Sequence, residues 1–179
     1  MITNTANKYG LITKIFHWFS GLAIIATFAL GFWMVDLTYY SSWYKTAPHW
    51  HKSIGILLLM LTIVRLVLKY KQVKVQPISE HSAFIKKSSS ATHKLLYLLM
   101  FIAFFSGYLI STADSRSIEV FNLFSVPGAG ELFSNQEDIA GLIHEYVAYS
   151  LISLALIHAL GALKHHFIDK DDTLKRMLK

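Results

Sequence analysis

Four stretches of this chain, at about 15–35, 51–68, 95–113 and 139–163, are long enough and apolar enough to cross a lipid bilayer as helices. Hydrocarbon offers no hydrogen-bond partner to a backbone amide, so such runs have to close their own hydrogen bonds as α-helix. The first and third runs carry no charge at all. The second is uncharged from Ser53 to Val64 and is bracketed by Lys52 and Arg65, whose long stems let their charges snorkel to the interface. The fourth carries only Glu145, near its start. With 54% hydrophobic residues and a mean hydropathy of +0.42, the chain has no room for a soluble appendage. These features predict an all-α fold, a single membrane-embedded domain over 1–179 that forms an up-and-down four-helix bundle. Lys8 and Lys14 before the first run imitate a signal peptide. The length of the run, the want of a small-residue cleavage site and His17 within it predict a retained first helix.

The charges orient the bundle. Thirteen of the 17 lysines and arginines fall before the first run, in the connection between the second and third, or after the fourth; Arg65, near the end of the second run, joins them, and only Lys45, Lys52 and Arg116 lie on the other side. The positive-inside rule then predicts that both termini are cytoplasmic. A formal charge of +6 could suggest nucleic acid, but the basic residues flank apolar runs and form no aromatic-studded stripe. The lysine-rich stretch 69–92, with Ser88-Ser89-Ser90, is expected to be a solvated connector beside anionic lipid headgroups. On the other side, 116–124 is expected to form a short interfacial helix or a strand-like piece, followed by a Val126-Pro127-Gly128 turn. The tail 169–179 is expected to be a short helical cap. Trp33, Tyr39, Tyr40, Trp43 and Tyr44 read as an interfacial aromatic belt.

Histidines carry the chemistry. His144 and His158 are fourteen residues apart, about 21 Å along a helix and close to four whole turns, so both rings face one way at two depths. In an up-and-down bundle, His51 starts the second helix at the depth of His144, and His17 starts the first at the depth of His158. Ionisable groups inside spans are expensive, and four at matched depths ask for a function. Axial ligation of two b-type haems, by the pairs His17/His158 and His51/His144, is the reading preferred here. Each of the four has a small residue three or four positions away on its own face: Gly21, Gly55, Gly141 with Ala148, and Gly161 with Ala162. A porphyrin lying against the helix needs such a neighbour, although helix–helix packing in membranes favours small residues too.

Other residues divide less clearly. His49 competes with His51 but lies on a different face. Arg65, Lys14, Lys52 and His93 are candidate partners for haem propionates, with snorkelling or capping the plainer alternative. His165 and His166 read as interfacial, and His81 as a loop residue without a chemical role. The absence of cysteine excludes disulfides, Cys-ligated iron–sulfur clusters and c-type haem attachment.

Several segments in this order resemble the bacterial cytochrome b561 family over nearly the whole chain. They are Lys8-Tyr9 with Ile15-Phe16-His17-Trp18, then Trp50-His51-Lys52-Ser53-Ile54-Gly55 leading to Val64-Arg65-Leu66, then Thr92-His93-Lys94-Leu95 and His144-Glu145 with His158. The end, His165-His166-Phe167 with Lys170-Asp171-Asp172-Thr173-Leu174, is similar to that family's tail. The resemblance implies a dihaem cytochrome of the bacterial inner membrane, with His17, His51, His144 and His158 as axial ligands, that exchanges electrons with ubiquinone. Some members resemble superoxide oxidases, which pass an electron from periplasmic superoxide to ubiquinone. Against superoxide as donor, residues 114–145 carry six acidic side chains and Arg116 alone as a cation, where an anion would be drawn by positive potential. Two other functions compete: a cytochrome b anchor subunit of a larger hydrogenase or dehydrogenase complex, which the short loops disfavour, and a haem-free metal or proton transporter, which the want of acidic residues deep in the spans disfavours.

Overall fold

The structure is a computed structural model and describes residues 1–78 and 81–179. Four long helices dominate it: α1 (Leu11–Met34), α2 (Thr46–Lys71), α3 (Ala83–Thr112) and α4 (Gln136–Phe167). All four are long and apolar enough to cross a membrane. A two-stranded hairpin, β1 (Ile118–Val120) and β2 (Phe124–Val126), interrupts the connection between α3 and α4, and a single turn, α5 (Lys175–Leu178), closes the chain. Helix α1 packs mainly on α2, and α3 mainly on α4.

The polar stretch expected over 69–92 is helical at both ends, with 72–78 outside either helix. Helix α2 runs on to Lys71, and α3 begins twelve residues before the expected start. The cause is local: the Ser82 hydroxyl accepts a hydrogen bond from the Ile85 amide, capping a helix that runs uninterrupted through Ser88-Ser89-Ser90 into the apolar run. Once nucleated, a helix adds residues cheaply, and the modest propensity of serine does not stop it. The segment 116–124 resolves in favour of strand. Ile118 pairs with Val126 and Val120 with Phe124, around Phe121 and Asn122 at φ 47° and 57°. Two successive positive φ values are those of a hairpin turn that follows strand twist. Asn122 adopts one readily. Phe121 is held there by ring contacts with Trp50 and His49 and by its amide, which donates to Ser53 Oγ at 3.0 Å.

Both termini lie at one end of the bundle. The Asn4 amide donates to Gln72, the Gln76 amide to Ala6, Arg176 to the Gln76 carbonyl, and Trp18 Nε1 to the Met177 carbonyl. This end is called lower below, and the hairpin end upper. At the upper end Ser53, fully buried in α2, donates to the Glu119 carbonyl at 3.2 Å and so pins the hairpin. Outward faces are apolar and uncovered, as at Phe19, Leu22, Leu156 and Ile157, which suits hydrocarbon. Four buried hydroxyls bond back to their own helix: Ser20 on Phe16, Thr27 on Ala23, Ser106 on Ile102 and Thr112 on Tyr108.

Gln136, 2% exposed, ties the upper connection together. Its Oε1 accepts from the Leu132 amide at 2.7 Å, and its Nε2 donates to the carbonyls of Leu109 and Gly130. Gln136→Ala orphans these groups, each worth about 1–3 kcal/mol when buried without a partner. Thermal unfolding in detergent should show a clearly lowered midpoint, while the helical circular dichroism of the folded protein is unchanged.

Candidate functional site

At the upper level α2 and α4 bring His51 and His144 opposite each other, with ring centres 6.1 Å apart and ring planes at 77°. Each ring is held from behind by a neighbouring helix. His51 Nδ1 lies 3.1 Å from the Thr27 carbonyl of α1, and His144 Nδ1 lies 2.9 Å from the Ala103 carbonyl of α3. A carbonyl only accepts, so each Nδ1 carries the proton and each Nε2 keeps its lone pair. Glycine makes room for both rings. A Cβ at Gly31 would stand 2.8 Å from His51 Cε1, and one at Gly107 would stand 3.0 Å from His144 Cε1. The two halves use one device: a carbonyl and, four residues later, a glycine, on the helix beside the histidine.

At the lower level His17 of α1 and His158 of α4 have ring centres 6.3 Å apart at 69°. His93 of α3 is nearer to His158, at 5.2 Å. Arg65 of α2 donates to Ser20 Oγ and lies over the Tyr97 ring, 5.9 Å from its centroid. Among the described residues neither His17 nor His158 has a ring hydrogen bond like those of the upper pair.

The two levels are built by one spacing. His17 and Gly31 are fourteen residues apart in α1, His51 and Arg65 in α2, His93 and Gly107 in α3, and His144 and His158 in α4. Each helix therefore offers one residue to each level on a single face, about 21 Å apart. The sequence displays this recurrence in all four helices, though the histidine pattern alone exposes it only in α4. Gly31 and Gly107 were thus missed, together with the backbone carbonyls of Thr27 and Ala103.

Between the helices at the upper level is a cavity of about 440 Å³, lined by His51, His144, Gly55, Ala148, Thr27 and Lys52 among others. Volumes of about 300–1,000 Å³ are usual for sites that hold small molecules and cofactors. A Cβ at Gly21, Gly55, Gly141 or Gly161 would meet nothing within 4 Å, so the small residues beside the four histidines face open space. Lys52 lines the cavity, and Arg65 and His93 join the lower histidines. Lys14 does not: its ammonium donates to the Lys179 carbonyl on the tail. His49 meets Phe121 edge-on at 6.2 Å, and it is His51 that stands opposite His144. His81 and His165, set aside on sequence, meet at the lower end with ring centres 4.7 Å apart beside Asp171.

Spanning helices with layered, facing histidines are the architecture of a membrane cytochrome. The chain belongs to the prokaryotic cytochrome b561 family, whose model matches residues 8–179. It is 48% identical to cytochrome b561 homolog 2 of Escherichia coli K12 over 176 residues, covering 98% of this chain and 94% of that one. Probable superoxide oxidase CybB of Yersinia pestis is 29% identical, with 96% of each chain covered. Cytochrome b561 homolog 1 of E. coli K12 is 27% identical, with 96% of this chain and 97% of that one covered.

Membership implies haem b and electron transfer, and the residues present fit that group. A transition-metal ion holds an imidazole nitrogen at about 2.0–2.1 Å, so two imidazoles across one ion have centres about 6 Å apart once ring radii are added. The 6.1 Å and 6.3 Å separations match this, and the 5.2 Å between His93 and His158 falls short. Substitution of Gly31 tests the support behind His51. Alanine there forces the ring to move, and overpacking of this kind costs about 1–3 kcal/mol. Purified Gly31→Ala protein should carry less haem per chain than the parent, read from the ratio of Soret to protein absorbance, with helical content retained.

Proposed function

We propose that this chain is a dihaem b-type cytochrome of the bacterial inner membrane that moves single electrons between the ubiquinone pool and a small one-electron donor, with superoxide as the leading candidate. The observation that carries the reading is the pair of facing histidine couples at ring separations of 6.1 Å and 6.3 Å, one at each level. On this reading His51 and His144 hold the upper haem, and His17 and His158 the lower. Haem b held there by imidazoles would supply one-electron redox chemistry.

The protein's part is orientation and charge. The Thr27 and Ala103 carbonyls fix the tautomer and the rotation of His51 and His144, and a hydrogen-bonded imidazole is also the more basic ligand. Arg65 and His93 supply donors for lower propionates, and Lys52 does so above. The lysine-rich lower end faces the cytoplasm by the positive-inside rule, which puts the hairpin end in the periplasm. There the cavity is lined by Lys52 and Arg116, and by Asp114 and Glu137. Arg116 is paired with Asp114, whereas Lys52 makes no ion pair among the described residues and is left to attract an anion. Superoxide as the donor draws on the name of the Y. pestis relative and on this cation.

Two measurements test the proposal. Haem analysis of the purified protein should give two haems per chain, and His158→Ala should give one, with the upper couple still filled. Two haems retained by both His158→Ala and His144→Ala would refute the pairing. Mixed rapidly with superoxide, the protein should show the reduced b-type bands, reversed by added ubiquinone. Lys52→Ala should slow that reduction by about twofold to tenfold at low salt, since steering by a local cation is of this order or larger. No reduction above the buffer control would remove superoxide as donor.

A further inference from the structure

The lower end gathers a second set of ligand-type side chains well away from the layered histidines. His81 lies just before α3, His165 is in the last turn of α4, and Asp171 is in the tail. One ligand atom from each lies within 4.8 Å of the others. His81 Nε2 is 2.7 Å from Asp171 Oδ2, and His165 Nδ1 is 3.0 Å from the same oxygen. Asp169 Oδ2 is 2.8 Å from His165 Nδ1. The three principal side chains are only 15–16% exposed, so the cluster is sheltered from bulk water.

One detail marks this as more than a knot of ion pairs. His165 Nδ1 is buried and has no hydrogen-bond partner, although two carboxylate oxygens stand at 2.8 Å and 3.0 Å. Neither oxygen lies where the ring N–H points. A nitrogen pressed between two carboxylates without bonding to either is satisfied by a cation that all of them share. The remaining contacts hold the carboxylate in place. Asp171 Oδ1 accepts from the Thr173 amide at 2.7 Å, and the Asp171 amide donates to the His165 carbonyl. Burial pushes the Asp171 carboxyl up, but hydrogen bonds from Thr173 and His81 and the nearby His165 outweigh it and hold it well below the ordinary carboxylate range.

We infer that His81, His165 and Asp171 form a binding site for a divalent first-row transition-metal ion such as Zn²⁺, with Asp169 as a fourth ligand. Two imidazoles and a carboxylate suit zinc and its neighbours, whereas calcium and magnesium prefer all-oxygen shells. Lys164 donates to both Asp169 oxygens at 2.9 Å and 2.7 Å, a contact that metal binding by Asp169 would displace. The ion would clip the start of α3 to the end of α4 and the adjoining tail, more than 80 residues further along the chain. The inference does not depend on which histidines hold haem.

The test uses haem-loaded protein in detergent, so that the layered histidines are not left free to bind the added metal. After treatment with a chelator, equilibrium dialysis against Zn²⁺ and elemental analysis should find one zinc per chain. His81→Ala and Asp171→Asn should each weaken binding at least tenfold, and His166→Ala should leave it unchanged. An unaltered Soret band in every variant keeps loss of zinc distinct from loss of haem. Zinc-edge X-ray absorption of the parent should report imidazole nitrogen and carboxylate oxygen at about 2.0–2.2 Å, which keeps the inference testable if a variant does not fold. No zinc retained by the parent, or equal retention by His81→Ala, would overturn it.

Discussion

Hydrocarbon leaves a membrane protein few ways to place a polar group. Backbone donors and acceptors are committed to their own helices, so chemistry has to be carried by side chains that return to one face at fixed intervals. Fourteen residues is such an interval, and all four long helices use it: His17 and Gly31, His51 and Arg65, His93 and Gly107, His144 and His158. The rest of the site follows from that repetition. Where one helix contributes an imidazole, the helix beside it contributes a glycine and a carbonyl at the upper level, or a cation or a third imidazole at the lower. The two levels differ because their backing differs. The upper rings are fixed by Thr27 and Ala103. The lower rings have His93 and the Arg65–Ser20 contact nearby instead.

Much of this was legible in the sequence, because membrane spans and their histidines obey strong rules. The length of apolar run set the four helices, and the depth argument set the couples His51/His144 and His17/His158 that the fold brings opposite each other. What escaped was governed by weaker or longer-range signals. The early start of α3 rests on one hydroxyl, that of Ser82, and on the readiness of a nucleated helix to continue through a polar serine run. Gly31 and Gly107 look like any small residues in a span until the rings they accommodate are seen. Lys14 reads as a partner for an inward charge, yet it turns to Lys179, a neighbour 165 residues away that no local pattern reveals. His81 was set aside for the same reason: its partners His165 and Asp171 lie in another part of the chain.

The ends of the bundle are as unlike as its two levels. The lower end is a mesh of main-chain and side-chain hydrogen bonds among the N-terminal segment, the α2–α3 connection and the tail. The upper end depends on two buried residues, Ser53 and Gln136, that anchor a hairpin and a loop over the cavity mouth. On the proposed function this suits the traffic: the covered upper cavity admits a small donor, and the braced lower end carries most of the lysines.

The packing of α1 on α2 and of α3 on α4, with a cavity between the couples, also bears on how the protein is made. Each couple is a helical hairpin that can enter the bilayer as a unit while synthesis continues. The hairpins touch each other less than their own helices do, and at the upper level they line a void instead of packing. Maturation is in that case tied to supply of the prosthetic group: cells short of haem would accumulate two loosely associated hairpins, open to proteolysis in the plane of the membrane, rather than a finished but colourless bundle.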